Sequence, residues 1–76
     1  MTKNEEARRM AVLRSRQEAR IHELGGKVPP VWPWGRGDYF IRSLQLIEMI
    51  ELLEAGKKDE AEAEYQSARR MEAFGA

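Results

Sequence analysis

The chain has 76 residues, with 13 basic and 13 acidic side chains, a net charge of zero and no cysteine. That length supports one small domain, spanning 1–76, near the lower limit for a self-sufficient core, and neither disulfides nor thiolate metal sites can reinforce it. No apolar run approaches the roughly 20 residues of a membrane span, and residues 1–6 lack the apolar core of a signal peptide, so a soluble cytoplasmic protein is expected.

Residues 3–24 read as a first helix. Thr2 or Asn4 can cap it, and Glu5 and Glu6 fall where the helix dipole favours negative charge. Ala7, Met10, Leu13, Ile21 and Leu24 follow helical spacing along one face, with Arg14 and Gln17 among them, while Arg8, Arg9, Arg16 and Arg20 occupy other sides. The stripe is narrow, which predicts a helix docked on the domain rather than at its centre. Gly25-Gly26 supply a left-handed stop.

Residues 25–37 form a connector that holds all three prolines and both tryptophans of the chain. Proline fixes φ, removes an amide donor and pushes the preceding residue out of the helical region, so this stretch reads as stiff and extended. A plain helix–helix turn needs neither its length nor its indoles. Trp32 and Trp34 must be covered by the chain's own helices, by a second copy or by a target.

Residues 38–55 read as the strongest helix, capped by Asp38. Phe40, Leu44 and Ile47 lie on one flank, and Tyr39, Leu46, Ile50 and Leu53 on an adjacent one. Apolar coverage this wide exceeds what one hairpin partner can bury. It predicts a homodimer formed through Leu46, Met49, Ile50 and Leu53.

Gly56 ends this helix, and a third follows over about 58–73, starting at Lys58 or Asp59, with a seam of Ala61, Tyr65, Ala68 and Met71. The short connection makes the last two helices an antiparallel hairpin. No segment alternates with β-type periodicity. The fold class is all-α, a small three-helix protein.

Charge is unevenly placed. Residues 1–37 carry eight basic and four acidic side chains, a net +4, and residues 38–76 carry five and nine, a net −4. Such polarity suits a basic helix packed on acidic ones, antiparallel self-association or a charged partner.

At the hairpin, Leu52-Leu53-Glu54-Ala55-Gly56-Lys57-Lys58-Asp59-Glu60-Ala61, followed by Glu64-Tyr65 and Ala68, resembles the middle of a single tetratricopeptide repeat. The resemblance covers residues 52–68 and implies paired helices packed through glycine, alanine and one aromatic ring. Lys58 stands where that family has an aromatic and Arg69 where it has an apolar residue, and no second copy follows. The combination of a charged first helix, the block Gly25-Gly26-Lys27-Val28-Pro29-Pro30-Val31-Trp32-Pro33-Trp34-Gly35 and an acidic hairpin resembles small accessory proteins of temperate bacteriophages. That resemblance implies binding and inhibition of one host protein.

Enzymatic chemistry has little to stand on. His22 is the only histidine, no cysteine can act as nucleophile, and Ser15, Ser43 and Ser67 have no activating context. Glu60 and Glu64 share a helix face as solvated acids, and His22 with Glu18 lacks the further ligands a metal needs. Gly35-Arg36-Gly37 lacks phosphate-loop spacing. Arg36-Gly37-Asp38 spells an adhesion tripeptide, but helix entry accounts for both its glycine and its aspartate. No enzyme activity, cofactor or metal is expected.

The expected function is a non-enzymatic protein–protein interaction module that binds and modulates or inhibits a host or regulatory protein. Its contacts are Trp32, Trp34, Arg36 and Tyr39, with Arg9, Arg16 and Arg20 of the first helix, because tryptophan and arginine dominate interface energetics and a stiff loop lowers the ordering cost. Two other readings remain. One is a small nucleic-acid-binding regulator using the arginine-rich helix, against which stand its interleaved glutamates and the pI of about 6.6. The other is a structural assembly subunit.

Overall fold

The computed structural model describes residues 2–75, and Met1 and Ala76 lie outside the described residues. Three helices, α1 (Lys3–Glu23), α2 (Tyr39–Glu54) and α3 (Lys58–Gly75), make up the chain, with one 3-10 turn at Pro33–Gly35. Thr2 caps α1 by accepting the Glu5 N–H through its hydroxyl. Asp38 caps α2 by accepting the N–H groups of Phe40 and Ile41 on one carboxylate oxygen. Both α1 and α2 end in paired backbone bonds beyond the last turn. Gly26 N–H donates to the Ile21 carbonyl and Gly25 N–H to His22; Lys57 N–H donates to Leu52 and Gly56 N–H to Leu53. The geometry requires a left-handed residue at each stop, and Gly25 and Gly56 supply it with φ of 77° and 76°.

α1 and α2 run parallel. Arg14 and Glu18 lie beside Asp38, Tyr39 and Arg42, Gln17 donates to Ser43, and Arg20 reaches Glu54. The connector makes this possible by carrying the chain back along α2. Gly26 rests against Leu53 near the end of α2, and Gly35 against Ile41 near its start. Nine extended residues reach about 28 Å at polyproline pitch, whereas the twelve helical positions they pass rise only about 18 Å. The prolines keep the return strand straight, and the 3-10 turn takes up the slack.

The core is Ile21, Leu46, Met49 and Ala61, with Val28, Ile50, Leu52, Leu53 and Tyr65 packed against it. α1 packs on α2 more extensively than α3 does, and among the described residues α1 and α3 do not pack on each other. α1 docks along one side of α2, as expected, yet it contributes to the core: among the described residues Ile21 is one of the two fully buried large side chains. One well-placed isoleucine does what the narrow stripe seemed too sparse to do. Leu13, on the expected inner stripe, is exposed.

The hairpin expected from residues 52–68 is present, with Ala61 and Ala68 buried against their neighbours and Tyr65 half-buried. The helices lie side by side in a slab measuring 40 × 29 × 13 Å, little thicker than a single helix. A slab leaves α2 with two broad sides. The connector covers only one of them.

The dimer surface expected at Leu46, Met49, Ile50 and Leu53 is corrected by this arrangement. Leu46 and Met49 are 0% and 2% exposed, and Ile50 and Leu53 pack against the same core. α1 and the returning connector bury that side within a single chain. The sequence reading counted the hairpin as the only internal cover and so assigned the wrong side of α2 to a second copy.

Candidate protein-interaction surface

A connector rich in proline has few amides of its own, so its carbonyls need donors from elsewhere. α2 supplies them. Arg42 Nη1 donates to the Pro29 carbonyl at 2.8 Å, and Gln45 Nε2 donates to the Pro30 carbonyl at 2.8 Å. Gln45 Oε1 accepts both the Trp32 N–H at 3.2 Å and Arg42 Nη1 at 3.0 Å. One buried glutamine therefore uses both ends of its carboxamide on the connector. Burial pulls the Arg42 guanidinium below its ordinary pKa, with Glu18 opposing and Arg14 adding to the shift; an arginine so placed remains a cation.

These contacts fix the aromatic pair. Trp32 is half-buried, and Trp34 stacks on it with ring centroids 5.3 Å apart and planes 27° from parallel. Offset stacking of this kind adds to burial in holding an indole in one orientation. Trp34 is nonetheless 56% exposed. The two rings thus occupy different positions: Trp32 against the body of the protein, and Trp34 on its outer side.

Beside the turn lies an open cleft of about 540 Å³, lined by Val31, Arg36 and Tyr39 together with Arg14, Glu18 and Arg42. Gly37, with φ of 77°, lets the chain turn from the 3-10 turn into α2, and Asp38 spends its carboxylate on the helix cap. That use accounts for the Arg36-Gly37-Asp38 sequence structurally. The cleft carries three guanidinium groups against two carboxylates, one of them committed to the cap. Arg14 pairs with Glu18 at 3.7 Å and Arg42 bonds the connector, so Arg36 is the guanidinium that the cleft offers at its rim.

Of the contacts expected from sequence, Trp34, Arg36 and Tyr39 are exposed and follow one another around the turn, with Arg36 and Tyr39 both in the cleft. Trp32 supports them from behind. Arg9, Arg16 and Arg20 do not join this group, although Arg14 of the same helix lines the cleft. Arg9 and Arg16 lie with Arg8, Val12 and Leu13 around a separate shallow dent, and Arg20 pairs with Glu23 at 3.3 Å and with Glu54 at 4.0 Å.

Sequence reasoning missed Gln45 and Arg42. Their signal was present: two polar side chains three residues apart interrupt the most apolar helix of a chain whose connector lacks amide donors. On the other side, Lys27 fastens the connector to α3, bonding Glu62 at 3.2 Å and sitting 5.2 Å from the centre of the Tyr65 ring. Among the described residues no cluster of three potential metal ligands occurs, and no helix is long and apolar enough to cross a membrane. Comparison with known protein families, curated proteins and solved structures returns no match.

Proposed function

We propose that this chain is a non-enzymatic interaction protein that binds a host or regulatory protein and blocks one of that partner's surfaces. The observation that carries this reading is Trp34. A large apolar ring is left outside while its stacking partner Trp32 is bonded through its N–H to Gln45 and the turn that carries it is closed by the Gly35 N–H donating to the Trp32 carbonyl. Exposed aromatic area in a pre-ordered loop is what a protein interface uses at its energetic centre, because little conformational freedom remains to be lost on binding. Arg36, Tyr39 and the basic cleft beside them suit an acidic segment next to an apolar pocket on the partner. The phage-accessory resemblance supplies the expectation that the partner is a host protein.

The nucleic-acid reading draws on the exposed arginines of α1, but Arg8, Arg9 and Arg16 surround Val12 and Leu13. That mixture suits a protein contact better than a phosphate track.

The test is affinity capture from the native host with wild-type, Trp34→Ala and Trp32→Ala chains, each checked by circular dichroism. Trp34→Ala should remain folded and lose a partner that the wild type retains. A folded Trp34→Ala chain that captures everything the wild type captures would end the proposal.

A further inference from the structure

The connector covers the side of α2 that carries Arg42, Gln45 and Met49. Half a turn away, Phe40, Leu44 and Ile47 stand in one row at spacings of four and three residues. They are 67%, 51% and 39% exposed. Three large apolar side chains in a row on the most apolar helix are not incidental surface. Their exposure shows that neither α1 nor α3 folds over them.

What borders this row is as telling as the row itself. Along one edge runs α1, whose Arg16 and Arg20 share a flank with the exposed Leu13; Arg20 reaches across to Glu54 of α2, which marks that flank as the one adjoining the row. Along the other edge, Glu48 of α2 and Glu64 of α3 line a common dent. The uncovered face therefore runs from an arginine edge, where Arg20 is already paired with Glu23 and Glu54, through the apolar row to a glutamate edge, with Glu51 one turn beyond Ile47 and Lys57 in the same dent as Glu48 and Glu64.

We propose that this face is a self-association surface, occupied by a second copy of the chain about a two-fold axis running along α2. Such an axis turns the slab over and exchanges its left and right edges. The apolar rows then meet, and the arginine edge of each chain lies against the glutamate edge of the other. A two-fold axis across α2 would instead set arginine on arginine and glutamate on glutamate. Charge complementarity thus selects the arrangement as well as the partner. The 40 × 29 Å outline of the face exceeds the roughly 800 Å² per partner that a stable interface needs. A chain this short also lacks buried area as a monomer. The inference is independent of the Trp34 proposal, because Trp34 belongs to the connector.

Sedimentation equilibrium of the full chain across concentration should give a dimer mass. Leu44→Glu, at the centre of the row, should weaken association by about thirtyfold or more, with helicity unchanged because the position is half exposed. Ile47→Lys provides the same reading if Leu44→Glu disturbs folding. The arrangement is tested by charge reversal. Arg16→Glu with Arg20→Glu, and separately Glu48→Arg with Glu64→Arg, should each give monomers alone. Mixed, the two variants should form a heterodimer, since each then meets opposite charge at both edges. A wild-type monomer at every concentration, a Leu44→Glu chain that still dimerises, or reversed variants that do not pair when mixed would each overturn the proposal.

Discussion

Gln45 holds Trp32 by its backbone rather than by its ring: the carboxamide oxygen accepts the Trp32 N–H at 3.2 Å, while the nitrogen of the same group donates to Pro30. Position and exposure of the aromatic pair follow from this clasp. A connector without proline would satisfy more of its own groups and lie less firmly on the helix.

Replacing Gln45 with methionine keeps most of the volume and removes all three of its bonds, to Pro30, Trp32 and Arg42. The Pro30 carbonyl and the Trp32 amide are then left in a partly buried site, at roughly 1–3 kcal/mol per unpaired group. Urea denaturation should show a loss of about 3 kcal/mol. Tryptophan emission of the folded variant should shift to the red as the connector loosens. Unchanged stability and emission would mean that the clasp is not what positions Trp32.

Ile21→Ala removes a fully buried side chain between α1 and α2. Large-to-small changes at such sites cost about 2–5 kcal/mol, enough to unfold much of a domain this small. Leu13→Ala, about two turns away on an exposed position, should leave the midpoint nearly unchanged. Equal effects at the two positions would contradict the assignment of α1 to the core.

Two adjacent glycines should fail for different reasons. At Gly25 an added Cβ meets open space, but φ is 77°, so Gly25→Ala should cost about 1 kcal/mol through backbone strain. At Gly26 the new methyl runs into the Leu53 side chain, so Gly26→Ala should cost about 1–3 kcal/mol through overpacking. Trimming Leu53 to alanine in the Gly26→Ala background should relieve the second cost. It should do nothing for the first.

Glu62 receives hydrogen bonds from Gln66 and from Lys27, and these hold its carboxyl below the ordinary range, the Gln66 bond contributing most. A carboxylate whose folded value lies below its unfolded one stabilises the fold above the unfolded value. That contribution is lost as pH falls through the folded value. In an NMR titration Glu62 should ionise at lower pH than the same glutamate in a denatured reference. Gln66→Ala and Lys27→Met should each raise its midpoint, and a midpoint that stays put in either variant would show that the corresponding bond does not hold the carboxylate.

Much of this fold was legible because its decisive signals are local. Thr2 and Asp38 cap helices where short polar side chains precede helical runs, and Gly25 and Gly56 stop them in the left-handed region. The observed helices agree with the expected ones to within one or two residues at most ends. The Trp34, Arg36 and Tyr39 grouping was legible because all three lie within six positions. What the sequence hid depends on chain path. Nothing local says that α1 and α2 run parallel, so Leu46 and Met49 looked available when Ile21 and the connector already covered them. Gln45 interrupts an apolar helix, and its role depends on the path of Pro29 and Pro30 above it.

The parallel pairing of α1 with α2 also bears on how the chain leaves the ribosome. Gln17 and Ser43 are 26 positions apart, so α1 has no partner until the connector and much of α2 have been synthesised. The hairpin of α2 and α3 closes over a far shorter loop. At about 5–20 residues per second α1 therefore waits on the order of seconds with its apolar face bare. A narrow stripe hemmed by arginine and glutamate keeps a waiting helix soluble where a broad one would aggregate. The sparseness that makes α1 look peripheral is what allows the earliest-made of the three helices to wait uncovered for α2.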